Sequence, residues 1–151
     1  MSQSLSKMWS HLIFSTKDRY PFLSDQRTRE DLHAYMAGIL RKHNCPTLQV
    51  GGVIDHIHAL FVLSKNCSIA QIVYEVKRSS SKWIKTKGQI YKKFYWQSGY
   101  GAFSVSQSHI EQVRRYILKQ ERHHHKVTFQ DEFREFLRRY DVEYEERYVW
   151  D

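Results

Sequence analysis

Residues 56–63 read His-Ile-His-Ala-Leu-Phe-Val-Leu and form the most strand-like segment of this sequence. Side chains two residues apart in a strand point to the same side, so Ile57, Ala59 and Phe61 are predicted to enter the core. His56 and His58 then face the opposite side, with Cα atoms about 6.6 Å apart. Two imidazoles at that spacing can share one metal ion, but a half-buried strand with two hydrogen-bonded histidines explains the same pattern.

The segments around this strand form an ordered series of strands and helices. The elements predicted up to residue 105 are a strand at 8–14, a helix at 25–42 capped by Ser24, a strand at 48–54, the strand at 56–63, a helix at 69–85 opened by a capping box of Ser68 and Gln71, and strands at 94–97 and 101–105. A second capping box at Ser108 predicts a helix that reaches at least Gln120, and Thr128 predicts the start of a last helix.

This order matches a split βαβ arrangement within one domain, residues 1–151. We therefore expect an α+β fold of the ferredoxin-like (RNA-recognition-motif-like) type, an antiparallel sheet with helices on one face and two more helices at the C-terminal end. The face of the sheet without helices must either be covered by another part of the protein or serve as a binding surface. It is the natural place for a functional site.

Charge is concentrated in the middle of the chain. The protein has 24 Lys and Arg against 16 Asp and Glu, a net charge of +8. Residues 76–127 hold 12 basic and 2 acidic residues, whereas residues 128–151 hold 4 and 8. Such a basic segment predicts an anionic partner, with nucleic acid first and an anionic membrane surface second.

Several classes of protein are excluded or disfavoured. No apolar run approaches the ~20 residues of a transmembrane helix, and residues 1–7 carry no apolar stretch of a signal peptide. Cys45 and Cys67 form no metal or disulfide pattern, so a reduced, cytoplasmic location is expected. A P-loop and a GxGxxG motif are both missing, which argues against a nucleotide cofactor.

Tyr116 and Gln120 are four residues apart in a predicted helix, so they share one face. A tyrosine hydroxyl beside a polar amide could be a nucleophile next to a metal ligand. Taken alone, however, a tyrosine at such a position is usually a packing residue.

Together these residues resemble the single-tyrosine HUH transposases of the insertion sequence 200/605 family. The resemblance covers nearly the whole chain. It is carried by the motif Asp55-His56-Ile57-His58-Ala59-Leu60, by the segment from Trp96 to Ser106, by Tyr116-Ile117-Leu118-Lys119-Gln120, and by the run from Gln120 to Phe129.

The resemblance implies a DNA transposase that cleaves and rejoins single-stranded DNA at the ends of an insertion sequence. His56, His58 and Gln120 would bind Mg²⁺ or Mn²⁺, and Tyr116 would attack the scissile phosphate to give a 5′-phosphotyrosine. The DNA would carry subterminal hairpins, and the protein would be a homodimer in which the tyrosine helix can complete the partner's site.

The basic segment then becomes the expected DNA-binding surface. Phosphate contacts and stacking of unpaired bases on interleaved aromatic residues would both contribute. The residues proposed for it are Lys77, Arg78, Lys82, Lys85, Arg114 and Arg115.

Two other features lie in the C-terminal third of the chain. The tract His123-His124-His125 is expected to lie on the surface or to face DNA, because adjacent helical residues point in different directions. The tail at 141–151 alternates acidic and aromatic residues, which predicts that Tyr144, Tyr148 and Trp150 dock onto the domain or a partner subunit.

A second function stays open at this level. A non-catalytic or domesticated regulator could bind single-stranded nucleic acid with the same fold. Intact His56, His58, Tyr116 and Gln120 favour the enzyme, because a pure binding protein has no need of the full set.

Overall fold

The computed structural model describes residues 2–151, in which four strands form one antiparallel sheet in the order β2-β3-β1-β4. The strands are β1 (Met8–Ser15), β2 (Thr47–Gly52), β3 (His56–Leu63) and β4 (Gly101–Val105). β3 pairs with β1 and β2, and β1 pairs with β4. This order confirms the predicted α+β, ferredoxin-like fold.

The helices follow in the predicted order. They are α1 (Gln26–Lys42), α2 (Ile69–Ile84), α3 (Ile110–Leu118), α4 (Gln120–His123) and α5 (Phe129–Arg139). The capping box of Ser68 and Gln71 opens α2 as expected, and the Thr128 side chain caps α5. Across residues 2–151, no helix combines the length and the apolar character needed to cross a membrane.

One face of the sheet packs on α1 and α2 and forms the larger core. Leu12 and Phe14 from β1 meet Ile57 and Phe61 from β3 in this core, and all four side chains are fully buried. Burying an apolar side chain of this size contributes about 1.5–3 kcal/mol, so this layer supplies most of the stability.

The other face of the sheet carries α3 and α5. Ile13 and Phe103 pack against Phe129, Phe133 and their neighbours from α5 in a second apolar cluster. Leu60 of β3 packs against Ile110 and Ile117 of α3 in a third cluster. The face predicted to be free of the first two helices is therefore covered by the C-terminal helices, and the histidines of β3 lie beneath them.

Four local predictions were wrong. Asp25, not Ser24, caps α1, because its carboxylate accepts from the Thr28 amide at 2.9 Å. Ser108 forms no capping box and lies in a short 3-10 turn instead. Residues 94–97 form an isolated bridge through Trp96 rather than a strand, because Trp96 turns inward to the core. The helix carrying Tyr116 ends at Leu118, and a break at Lys119 (φ −100°, ψ 16°) separates it from α4.

The acidic tail folds back on its own chain through Trp150. The Trp150 ring lies 5.9 Å from that of Phe133, and the Arg134 guanidinium sits 5.0 Å above it. The Asp151 carbonyl accepts from the Gly99 amide at 2.8 Å. The predicted docking is thus seen for Trp150, whereas Tyr144 and Tyr148 stay exposed.

Gly52 ends β2 at the turn that leads to His56, and alanine is expected to destabilise the fold there. Its φ is +152°, and an added Cβ would lie 2.2 Å from the His56 carbonyl oxygen. We expect Gly52→Ala to lower the free energy of unfolding by about 2–4 kcal/mol in urea denaturation. Gly38→Ala, where the Cβ meets nothing within 4 Å, is the control and should change it by at most about 1 kcal/mol. Equal stabilities for the two variants would contradict this account.

Candidate functional site

The two histidines of β3 lie on the sheet face covered by α3 and α5, and both are fully buried. The Nδ1–H of His56 donates to the Asp55 carboxylate at 2.7 Å. The Nδ1 of His58 lies 2.8 Å from the Nε2 of His11, on the neighbouring strand β1. Both Nδ1 atoms are thus engaged on the outside of the site, and both Nε2 atoms point to its centre.

Glu132 of α5 occupies that centre and was not predicted from the sequence. Its Oε1 lies 2.9 Å from the His58 Nε2 and 3.4 Å from the His56 Nε2, and only 2% of the residue is exposed. One sequence signal was available. Glu132 is a lone carboxylate on the apolar face of α5, between Phe129, Phe133 and Phe136, where a charge is rarely buried without partners.

Tyr116 and Gln120 reach the same carboxylate from α3 and α4. The Tyr116 hydroxyl donates to the Glu132 Oε2, and the Gln120 amide donates to the same oxygen at 3.1 Å. The Gln120 Oε1 lies 3.1 Å from the His56 Nε2. The sequence-predicted set of His56, His58, Tyr116 and Gln120 therefore comes together within a single chain, despite the helix break at Lys119.

The cluster shifts the pKa of its members. Burial and then the negative charge of Glu132 raise the pKa of Tyr116 well above its usual value, so the hydroxyl is protonated in this arrangement. Burial alone would raise the pKa of Glu132, but the attraction of His58 and the other imidazoles that face its carboxylate lower it. Burial lowers the pKa of His56, yet the bonds to Asp55 and Glu132 outweigh it and raise the value to about 9.

His124 corrects the prediction that the histidine tract lies on the surface. Its Nδ1–H donates to the Val127 carbonyl at 2.6 Å, and its Nε2 lies 3.2 Å from the Glu132 Oε2. That Nε2 is buried and has no hydrogen-bond partner among the described residues. The three histidines do not converge as a group, since His125 is exposed. One of them nevertheless turns inward at the end of α4, which the directions of adjacent helical residues alone do not reveal.

The residues fit a divalent metal ion. Donor atoms of His56, His58, His124 and Glu132 all lie within 4.8 Å of one another. Imidazole nitrogens and a carboxylate oxygen are common ligands of divalent ions, and the outer nitrogens of these histidines are hydrogen-bonded as those of metal-bound histidines are. The unpartnered Nε2 of His124 is accounted for if that atom binds an ion.

A cleft of about 370 Å³ lies beside the cluster and is lined by Tyr116, with His11, His109, Gln112 and Arg139 among the other lining residues. Tyr116 is half-buried, and its hydroxyl contacts Glu132. The nucleophile candidate therefore borders a cleft that is open to solvent.

The predicted basic residues occupy two separate surfaces. Arg114 and Arg115 lie on α3, the helix of Tyr116. Arg78 and Lys82 lie on α2 and Lys85 caps its C-terminal end, and this helix packs on the opposite face of the sheet. The structure therefore places the first group beside the site and the second group away from it.

Lys77 has a structural place that differs from its predicted DNA contact. Its Nζ donates to the carbonyls of Gln97, Ser98 and Gly99 at 2.7, 3.1 and 2.7 Å. These bonds use the three N–H groups of the ammonium, so Lys77 holds the loop before β4 and has none left for a phosphate. For that reason we do not assign Lys77 to the DNA-binding surface formed by Arg78, Lys82 and Lys85.

Comparisons with known proteins agree with the fold and the motif order. The family described as "Transposase IS200 like" matches residues 4–120. No curated protein matches the chain significantly. A crystal structure from Deinococcus radiodurans R1, provisionally assigned as a transposase, is 22% identical with a TM-score of 0.60 and covers 80% of this chain and 98% of its own. A REP-associated tyrosine transposase bound to a REP hairpin is 13% identical with a TM-score of 0.56, covering 84% and 76%.

Proposed function

This chain belongs to the IS200-like transposase family, and from that membership we propose that it cleaves and rejoins single-stranded DNA with Tyr116 as the nucleophile. One observation carries the proposal. The Tyr116 hydroxyl donates to a buried carboxylate beside two histidines, and Tyr116 itself lines a cleft that opens to solvent.

In the proposed cleavage step the Tyr116 oxygen forms a bond to the scissile phosphorus, and the bond from phosphorus to the 3′ oxygen breaks. The Tyr116 proton passes to water in the cleft, and the Glu132 Oε2, which accepts a hydrogen bond from the hydroxyl, orients the oxygen for attack. The departing 3′ oxygen takes a proton from water. The products are a 5′-phosphotyrosine and a free 3′-hydroxyl. Rejoining is the reverse exchange with a second 3′-hydroxyl, which conserves the energy of the phosphodiester bond.

His56, His58 and Gln120 would hold a divalent ion such as Mg²⁺ or Mn²⁺. When bound, this ion would polarise the scissile phosphate and stabilise the charge that develops on it. The protein residues orient the ligands and exclude water. Asp55 fixes the ring of His56, and Gln120 bridges His56 and Glu132. The burial of Glu132 keeps bulk water from its carboxylate. These contacts hold the Tyr116 oxygen close to the ligand set before the DNA arrives.

Hairpin-bearing DNA is the substrate we propose. The REP-associated transposase, whose fold this chain shares, is bound to a REP hairpin, and this supports the same kind of ligand here. Arg114 and Arg115, on the helix of Tyr116, would contact the strand that is cut. Arg78, Lys82 and Lys85, together with the exposed Tyr95 that lies 4.6 Å from the Lys85 ammonium, would hold a more distant part of the DNA. We also propose a homodimer, which light scattering of the purified protein tests.

The direct test uses single-stranded DNA from the end of the element, labelled at one end or the other, with Mn²⁺ or Mg²⁺. A covalent adduct is expected with the DNA segment 3′ to the cut, because the phosphate stays on the tyrosine. The other fragment should be released with a free 3′-hydroxyl that a polymerase can extend. Binding of the hairpin without any adduct would overturn the proposal and favour the non-catalytic binding protein.

Salt dependence should separate the two basic surfaces. Each lost phosphate contact lowers the slope of log affinity against log salt by about 0.7 on single strands. We therefore expect R114A/R115A to lower it by about 1.4 on an unstructured strand. On the duplex stem of hairpin DNA each contact counts for about 0.9, so R78A/K82A/K85A should lower it by about 2.7. The double variant K7A/K65A, at lysines away from these helices, is the control and should keep the wild-type slope. An unchanged slope in both test variants would contradict the assignment of these residues.

A further inference from the structure

We propose that His124 and Glu132 are further ligands of the ion that His56, His58 and Gln120 would hold, and that this larger set prefers Zn²⁺ or Mn²⁺ to Mg²⁺. The inference deepens the proposed function, on which it rests for the role of the metal in cleavage. It adds two ligands from the C-terminal part of the chain, beyond residues 4–120, which the family model matches. The ion-binding claim itself can be measured without DNA.

The first support is the orientation of the imidazoles. The acceptors of His56 and His124 are a carboxylate and a carbonyl, so both rings must carry their proton on Nδ1. The Nε2 atoms of both rings face Glu132, and an ion bound there would replace the proton that the His56 Nε2 shares with the Gln120 Oε1 at 3.1 Å. Outer hydrogen bonds of this kind fix the tautomer and direction of metal-binding histidines.

The second support is the unused bonding capacity of His124. Its Nε2 is buried without a hydrogen-bond partner among residues 2–151, although the side chain is only 10% exposed. A buried polar atom without a partner costs about 1–3 kcal/mol. Binding of an ion at this atom removes that cost, and its Nδ1–H bond to Val127 already holds the ring in place.

The third support is the spacing and chemistry of the donor set. Ligands at 2.0–2.1 Å from a tetrahedral ion lie about 3.4 Å apart. The Nε2 atoms of His56 and His58 lie 3.4 and 2.9 Å from the Glu132 Oε1, and that of His124 lies 3.2 Å from the Oε2. The four donor atoms all lie within 4.8 Å of one another, so shifts of about an ångström admit an ion. Imidazole nitrogens suit transition metals, whereas Mg²⁺ prefers an octahedron of oxygens. This set therefore favours Zn²⁺ first, then Mn²⁺, and Mg²⁺ last.

Glu132 can bind an ion and contact Tyr116 at the same time. Its Oε1 faces His56 and His58, and its Oε2 accepts from the Tyr116 hydroxyl. The same carboxylate thus ties the position of the nucleophile to the ligand set. Tyr116 itself is not a ligand in this proposal.

The test is a calorimetric titration of the metal-free full-length protein with Zn²⁺, Mn²⁺ and Mg²⁺ in the absence of DNA. We expect one site per chain with affinity in that order. Glu132→Gln and His124→Ala should each weaken Mn²⁺ binding by at least about tenfold. The matched controls are Glu135→Gln, a half-buried carboxylate on the same helix that pairs with Arg138 and Arg139, and His125→Ala, the exposed neighbour of His124. Both controls should bind as the wild type does.

The visible absorption spectrum of Co²⁺ bound to the wild-type protein is a second test, which does not depend on whether the variants fold. Co²⁺ in a four- or five-coordinate site absorbs visible light strongly, whereas six-coordinate Co²⁺ absorbs weakly, so a strong band is expected. Wild-type affinity in both Glu132→Gln and His124→Ala, or a weak band, would overturn the ligand assignment. Tyr116→Phe should bind the ions normally.

The metal site and the cleavage reaction can fail independently. If metal binding behaves as stated and no DNA adduct forms, the proposed cleavage fails and the metal site stands. If an adduct forms although these residues bind no ion, the metal site fails and the cleavage stands.

Discussion

Replacement of Tyr116 by phenylalanine is expected to abolish the covalent protein–DNA adduct while leaving DNA binding intact. The change removes one oxygen atom, the one we propose attacks phosphorus, and keeps the ring that packs between His11 and Phe136. Removal of an enzyme's nucleophile typically lowers the rate by about 10⁴-fold or more. The measurement is a gel assay of labelled single-stranded DNA with Mn²⁺, with peptide mapping of the wild-type adduct to Tyr116.

The free energy of unfolding of Tyr116→Phe should fall by much less than would unfold the protein. The lost hydroxyl donated to the Glu132 Oε2, and a hydrogen bond to a charged group contributes about 1.5–3 kcal/mol. Gln120 still donates to that oxygen at 3.1 Å, so the carboxylate keeps a partner. The variant is therefore expected to fold, and its loss of activity can be attributed to the missing oxygen.

Tyr140→Phe is the matched control for the nucleophile. Its hydroxyl also lies on the second face of the sheet, but it donates to the Ser104 carbonyl at 2.8 Å rather than to Glu132. Tyr140 lines the same cleft as Tyr116 but does not contact Glu132, and the variant keeps its ring, so Tyr140→Phe should still form the adduct. An adduct that persists in Tyr116→Phe, or that disappears in Tyr140→Phe, would show that the nucleophile is assigned to the wrong residue.

The elements that the sequence predicted well are those fixed by local chemistry. The alternation of residues 56–63 placed His56 and His58 on one face and Ile57 in the core, because the period of a strand leaves no other choice. The capping box of Ser68 fixed the start of α2 for a similar reason. Where a local signal has an equally good alternative, as at Ser108, tertiary packing decided and the prediction was wrong.

About half of the residues in the site could not be predicted from local sequence patterns. Glu132 lies 74 residues from the histidine it contacts, and its position depends on how α5 docks on the sheet. His11 was visible on a strand, but only the register of β1 beside β3 shows that it meets His58. Lys77 could not be told from its basic neighbours until the fold brought the loop at 97–99 over α2. Each of these contacts is set by packing between distant elements.

Replacement of His56 by alanine is the second large effect that we expect, with cleavage lowered by about 10³-fold or more and hairpin binding retained. The basis is its position: His56 is fully buried, with the Nδ1 on Asp55 and the Nε2 toward Gln120 and Glu132. A chelator added to the wild-type protein should reproduce the loss. This second measurement covers the case in which the alanine variant folds poorly, since the change also leaves two carboxylates short of a partner.

A graded series strengthens this prediction, because a ligand and its supporting residue should differ in size of effect. Asp55→Asn keeps an oxygen that can accept from the His56 Nδ1–H but removes the charge that raises the basicity of the ring. Losses of this kind cost about 10–100-fold in metal affinity or activity. His43→Ala, at the end of α1 and 3.9 Å from Glu75, is the control and should cleave normally. If Asp55→Asn lost as much activity as His56→Ala, or if neither lost any, the ordering that the hydrogen bonds imply would be wrong, since Asp55 acts on the reaction only through the ring that it orients.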